Sequence, residues 1–151
     1  MNRPQIRKTD YVLGIDFGMK KMGCAVGQGF TKTASPQGLL YAKQGSLTSY
    51  NELHALIKEW RISLIVVGLP LSMDGTDNPI TEAARKFAEH LAKKAKVPVV
   101  LHDERLSTRA AKDLIAEKGN GQSLRYGGKN DKVDEIAACL ILESFLTDYF
   151  A

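Results

Sequence analysis

A chain of 151 residues, 44% hydrophobic and 25% charged, has the composition of one soluble globular domain and excludes a disordered, collagenous or coiled-coil protein. Twenty-one lysines and arginines against seventeen acids leave a formal charge of +4, which permits a nucleic-acid partner without requiring one. Cys24 and Cys139 lack C-x-x-C spacing and read as free thiols, and no apolar run is long enough for a signal-peptide core or a membrane span, so a cytoplasmic location is expected.

The first ten residues read as an N-terminal tail and 11–151 as a single domain. Tyr11 to Ile15 is a continuous apolar run, the mark of a strand covered on both faces. After a turn flanked by Gly18 and Gly23, Cys24–Val26 reads as a second strand and Ala34–Tyr41 as a third, together an antiparallel meander. Leu53, Leu56, Ile57 and Trp60 then repeat at helical spacing, and Leu64–Val67 follows as a buried strand ending at Gly68-Leu-Pro70. Asn78-Pro79 is a helix start, a capping residue followed by proline at the first helical position. Ile80, Ala84, Phe87, Leu91 and Ala95 lie on that helix's apolar stripe.

Val97–Leu101 predicts another strand, and Ser107 is placed to cap a helix carrying Ala110, Ala111, Leu114 and Ile115. Four glycines between Gly119 and Asn130 predict a flexible loop. A last helix carries Val133, Ile136, Ala137, Leu140, Ile141 and Phe145 as its apolar positions. The order predicts a five-stranded mixed sheet with helices on both faces, an α/β class. Ribonuclease-H-like domains have this order, and so does part of each lobe of actin-like ATPases.

The chemistry is carried by carboxylates where a core is expected. Asp16 follows five residues of buried strand, where charge is expensive unless it is paired, hydrogen-bonded or bound to a cation. The plainer alternative has Asp16 bonding the turn at Phe17-Gly18. Glu104 closes a second apolar strand within His102-Asp-Glu-Arg105, at a strand end of the kind where α/β sheets gather ligands. Alternation sends Asp103 and Glu104 to opposite faces, so at most one joins Asp16. A solvated strand end, with Arg105 pairing a neighbouring carboxylate, is the alternative. Asp131 and Asp134 share one face at the start of the last helix, where Asp131 as a cap and Asp134 at the helix dipole also account for them. Oxygen ligands without nearby Cys or His favour Mg²⁺ or Mn²⁺ over zinc. Carboxylates converging from separate elements suit metal-assisted phosphodiester hydrolysis. His54, His90 and His102 have no ligand spacing.

Gly14-Ile-Asp-Phe-Gly18, Val67-Gly-Leu-Pro-Leu71 with Met73-Asp-Gly-Thr76, Asp103-Glu-Arg-Leu-Ser107, and Lys132-Val-Asp134 with Ala137-Ala138 occur in order over nearly the whole chain after residue 10. Together they resemble the YqgF/RuvX family of Holliday-junction-resolvase-like proteins, also described as pre-16S rRNA nucleases. The resemblance implies a ribonuclease-H-like fold, divalent-metal-dependent nuclease activity, and a nucleic-acid partner, either pre-rRNA or branched DNA. Ribosome-assembly or transcription factors are further partners it brings into view. Asp16, Glu104 and Asp134 match the family's acidic positions. Asp131 reproduces the paired acids of the related RuvC resolvases, which the YqgF pattern does not require. The middle strand carries Gly68 in place of an acid, and its missing side chain leaves Glu104 room to reach towards Asp16.

Between Arg105 and Lys132 seven basic residues stand against three acids, an excess equal to that of the whole chain. Arg105, Arg109, Arg125 and Lys129, with Lys20 in the first turn, are the candidate phosphate contacts. Tyr126 is a candidate for base stacking. Two other classes remain in view. One is an actin-like ATPase, whose first phosphate loop Asp16-Phe-Gly18, Lys20 and Gly23 resemble, although 151 residues leave no room for its second lobe. The other is a non-catalytic nucleic-acid-binding factor in transcription or ribosome maturation.

Overall fold

The computed structural model describes residues 4–105 and 130–151. Six strands form one sheet: β1 (Tyr11–Asp16), β2 (Lys21–Gln28), β3 (Thr33–Lys43), β4 (Ser46–Leu47), β5 (Leu64–Leu69) and β6 (Val99–Asp103). Their order across the sheet is β4-β3-β2-β1-β5-β6. The first four pair antiparallel in succession, while β5 and β6 add parallel to β1. Among the described residues the helices are α1 (Asn51–Trp60), α2 (Pro79–Ala95) and α3 (Asn130–Tyr149).

The mixed sheet with helices on both faces is as expected, with one strand more than the sequence implied. β4 is two residues long, too short to carry a periodicity, and is reached through a turn in which Gln44 and Gly45 have φ of 52° and 82°. β6 also runs to Asp103 rather than stopping at Leu101, and begins after Pro98, whose carbonyl accepts the Ile65 amide at 2.9 Å. The first ten residues are more than a tail where they are described. Ile6 packs on the core, the Phe30 amide donates to the Lys8 carbonyl at 3.0 Å, and the Tyr149 hydroxyl donates to the Pro4 carbonyl. The helix expected after Ser107 and all but the last residue of the expected Gly119–Asn130 loop lie outside the described residues.

Each face of the sheet has its own core. Leu13, Ile15, Met22, Cys24, Ile65 and Val67 face the layer made by α1 and α2, where Leu53, Phe87 and Leu91 close over them. Val12, Ala25, Leu64 and Val66 face α3, which contributes Ala138, Cys139, Ile141, Leu142, Phe145 and Leu146. α2 begins as its sequence predicted. Asn78 accepts from the amides of Ile80 and Thr81, each at 3.0 Å, and Thr81 returns the bond to the Asn78 amide in a capping box. The buried face of α3 differs from expectation: Val133 is exposed, and Ala138, Cys139, Leu142 and Leu146 are buried. Apolar residues run almost all round this helix, so periodicity does not select a face.

What orients α3 is its approach to glycines. A Cβ on Gly23 would lie 2.1 Å from the Asp134 carbonyl oxygen, and one on Gly14 would lie 2.8 Å from Leu142 Cβ. The helix backbone therefore rests directly on β1 and β2. Two glutamates of α3 also reach β3. Glu143 Oε2 accepts the Ala34 amide at 2.9 Å, and the buried Glu135 accepts the Gly38 amide at 3.0 Å. Gly38 lies at the irregularity where the β2–β3 register shifts, and its φ of 90° is open to glycine without strain. Glu135 thus supplies the acceptor that the interrupted ladder does not.

Candidate active site

Asp16 is the last residue of β1 and shares the α3 face with Val12 and Gly14. Glu104 directly follows β6. Val100 belongs to the α3-side core, and alternation carries His102 and Glu104 to that side, while Val99 and Leu101 pack on the other core and Asp103 follows them. Of the two adjacent acids it is Glu104 that joins Asp16. The Glu104 amide donates to the Leu69 carbonyl at 3.2 Å, and a Cβ on Gly68 would lie 2.8 Å from Glu104 Oε2. The missing side chain at Gly68 is what leaves room for this carboxylate over the end of β5.

Asp134 comes from the second turn of α3. Its carbonyl sits over Gly23, and Gly23 is the register partner of Asp16. Three carboxylates from three separate elements thus gather where β1 and β5 end. Burial pushes the Asp16 carboxyl up to about 8, and the negative charges of Glu104 and Asp134 act in the same direction. Burial raises Glu104 as well, helped by the charge of Asp103. Lys21 brings a cation to this cluster, its Nζ 3.6 Å from Asp134 Oδ2.

Among the described residues no three Asp, Glu, His or Cys stand close enough to form a ready-made metal cluster. The donor chemistry nevertheless fits a hard divalent cation. The donors are carboxylate oxygens, and the like-charge repulsion felt by Asp16 is relieved by a cation between them. His102, on the same face, turns instead to Ser144 Oγ at 2.9 Å and stands edge-on to Phe145. Burial lowers its imidazole from the usual range.

The remaining predicted residues divide. Lys20 is exposed in the β1–β2 turn. Arg105 is engaged: it holds both Asp103 oxygens at 2.7–3.1 Å and donates to the Met73 carbonyl at 3.3 Å. In this position it pins the segment after β5 to the end of β6 instead of standing open to a phosphate. Arg109, Arg125, Tyr126, Lys129 and the side chain of Asp131 lie outside the described residues; α3 begins at Asn130, so Asp131 is inside the helix rather than ahead of it. Lys21 and Gly23 are site residues that sequence reasoning missed. The two-residue alternation of β2, which buries Met22 and Cys24 on the opposite face, is the signal that points to them. A cavity of about 490 Å³ opens between the β3–β4 turn and α2 and is lined by none of the three carboxylates.

The RuvX family profile, described as Holliday junction resolvase, matches residues 10–148. The chain belongs to the RuvX family. All three carboxylates fall within the RuvX match, which takes in the whole sheet and nearly all of α3. A RuvX relative from Haemophilus ducreyi, named "Putative pre-16S rRNA nuclease", is 47% identical over 135 residues, 89% of this chain and 94% of its own. One of the same name from Actinobacillus pleuropneumoniae is 48% identical over the same shares. Among solved structures, Thermus thermophilus RuvC in complex with a Holliday junction substrate matches with a TM-score of 0.55 at 17% identity, over 93% of this chain and 95% of that one. This likeness shows that the RuvX chain has the ribonuclease-H-like fold of RuvC.

Proposed function

We propose that this protein is a divalent-metal-dependent nuclease that hydrolyses phosphodiester bonds, acting on the ends of pre-16S rRNA during ribosome biogenesis in the cytoplasm. The observation that carries the reading is the convergence of Asp16, Glu104 and Asp134 from three elements on one face, where β1 and β5 end, close enough for the latter two to raise Asp16. The choice of substrate is supported by the names of relatives that match nearly end to end. No helix of the described residues is long and apolar enough to cross a membrane.

In this reading Asp16, Glu104 and Asp134 hold Mg²⁺ or Mn²⁺, with Asp131 as a fourth candidate. When bound, such ions neutralise phosphate charge and act as Lewis acids in phosphodiester hydrolysis. Asp16 gives up its proton to become a ligand, so its raised pKa makes loading favour higher pH. Lys21 holds Asp134 and leaves a positive charge beside the scissile phosphate. Lys20, Arg109, Arg125 and Lys129 bind the flanking phosphates, and Arg105 orients the segment after β5.

The test is a cleavage panel with purified protein and Mn²⁺, comparing ribosomal-RNA precursor ends, four-way DNA junctions and duplex DNA. Precursor RNA is expected to be cut, and Asp16→Asn to abolish cutting while the protein stays folded. Preferential cutting of the junction assigns the protein to recombination instead. Equal activity of the Asp16→Asn protein removes the carboxylate assignment, and binding without cleavage leaves a non-catalytic factor.

A further inference from the structure

Tyr41 lies on the sheet face that carries the carboxylate site, and among the described residues nothing accounts for its exposure. It is 63% exposed, whereas its neighbours Leu40 and Ala42 both pack into the α1–α2 core. Alternation therefore turns Tyr41 to the α3 face, the face of Asp16, Glu104 and Asp134. Its register partner on β2 is Lys21, the residue that pairs with Asp134. Two strand spacings and two residues separate Tyr41 from Asp16, about 12 Å along the sheet.

A lone exposed aromatic needs no explanation by itself. Tyr41 is distinguished by its mounting and its surroundings. The ladder to Lys21 holds its backbone on one side, and on the other its carbonyl accepts the Thr48 amide at 3.0 Å and the Thr48 hydroxyl at 3.3 Å. The ring is thus carried on a rigid element. Lys43 lies two residues further along the same face and is exposed. An exposed ring with lysines beside it is the combination by which proteins hold unpaired strands, the ring stacking on a base and the ammonium groups following the phosphates.

We propose that Tyr41 is a stacking platform for an unpaired nucleotide of the substrate strand, so that the site takes nucleic acid whose bases are unpaired next to the cleaved bond rather than continuous duplex. The proposal deepens the nuclease reading and rests on it for the location of the cleaved bond. A paired base has its faces covered by its neighbours in the helix and offers Tyr41 nothing to stack on.

The experiment measures binding in EDTA, where cleavage is off, by fluorescence anisotropy of a labelled single-stranded RNA and of the same RNA annealed to its complement. Wild-type protein is expected to prefer the single strand. Tyr41→Ala and Tyr41→Leu are expected to weaken single-strand binding by about ten-fold and leave duplex binding unchanged. Tyr41→Phe is expected to bind as wild type, since the ring and not the hydroxyl acts. Thermal melts of the variants are expected to overlay, because the side chain is exposed. Single-strand binding by Tyr41→Ala equal to wild type overturns the inference, as does an equal loss on both probes or a Tyr41→Phe protein as weak as Tyr41→Ala. These results are independent of catalysis. An absence of Mn²⁺-dependent cleavage removes the nuclease reading without altering the binding comparison.

Discussion

Asp16 has a proton affinity that differs greatly between the folded and unfolded chain. Its carboxyl rises from 3.8 to about 8 on folding, so between those values the metal-free folded protein binds a proton that the unfolded chain does not. Stability contributed by this proton is present at low pH and is lost as pH rises through about 8; the raised Glu104 acts with the same sign. In EDTA, melting curves are expected to show wild type losing stability relative to Asp16→Asn across this window. Curves that stay parallel would mean that the carboxyl is not held in a desolvated, like-charged setting. As candidates, Asp16 and Glu104 were legible in the sequence because an acid after an apolar run is conspicuous, and Asp134 through its helix face and the family resemblance. Lys21 and Gly23 were not, because their roles follow from register with Asp16 and contact with a helix that begins 107 residues after Gly23 in the chain.

At the scale of elements, α2 and α3 were legible to different degrees for a physical reason. The start of α2 is written locally, since Asn78, Pro79 and Thr81 contain the whole cap. The orientation of α3 is set by distant glycines, so its buried face was misread at Val133, and two-residue β4 left no pattern at all. This difference predicts opposite mutational outcomes. Asn78→Ala is expected to cost about 1 kcal/mol of stability in urea unfolding and to leave cleavage per folded molecule unchanged. Gly23→Ala is expected to cost about 1–3 kcal/mol through overpacking and also to reduce cleavage steeply, because the atom it meets is the backbone of Asp134. Undiminished cleavage by a destabilised Gly23→Ala protein would show that the placement of Asp134 does not matter to the chemistry.

For the whole molecule, the +4 charge is less informative than its placement. An equal excess falls between Arg105 and Lys132, the segment that joins the two acids Glu104 and Asp134. Binding to RNA is expected to weaken linearly in log–log plots against salt, and neutralising Arg125 and Lys129 together is expected to lower that slope by about 1.4–1.8. An unchanged slope would place the phosphate contacts elsewhere. The two cysteines provide a different probe of the same body. Cys24 and Cys139 are both fully buried, on opposite faces of the sheet. Each thiol is therefore a clock for the opening of one layer. Lifting α3 alone uncovers Cys139, whereas Cys24 waits for α1 and α2 to separate from the sheet. Pulse alkylation under native conditions is expected to modify Cys139 first, and equal rates would mean that both layers open together. If Asp134 on α3 and Asp16 on β1 hold a metal ion as proposed, its binding would lengthen the lifetime of the Cys139 thiol and leave that of Cys24 nearly unchanged, which would give ion binding a readout in a protein that has not turned over a single substrate.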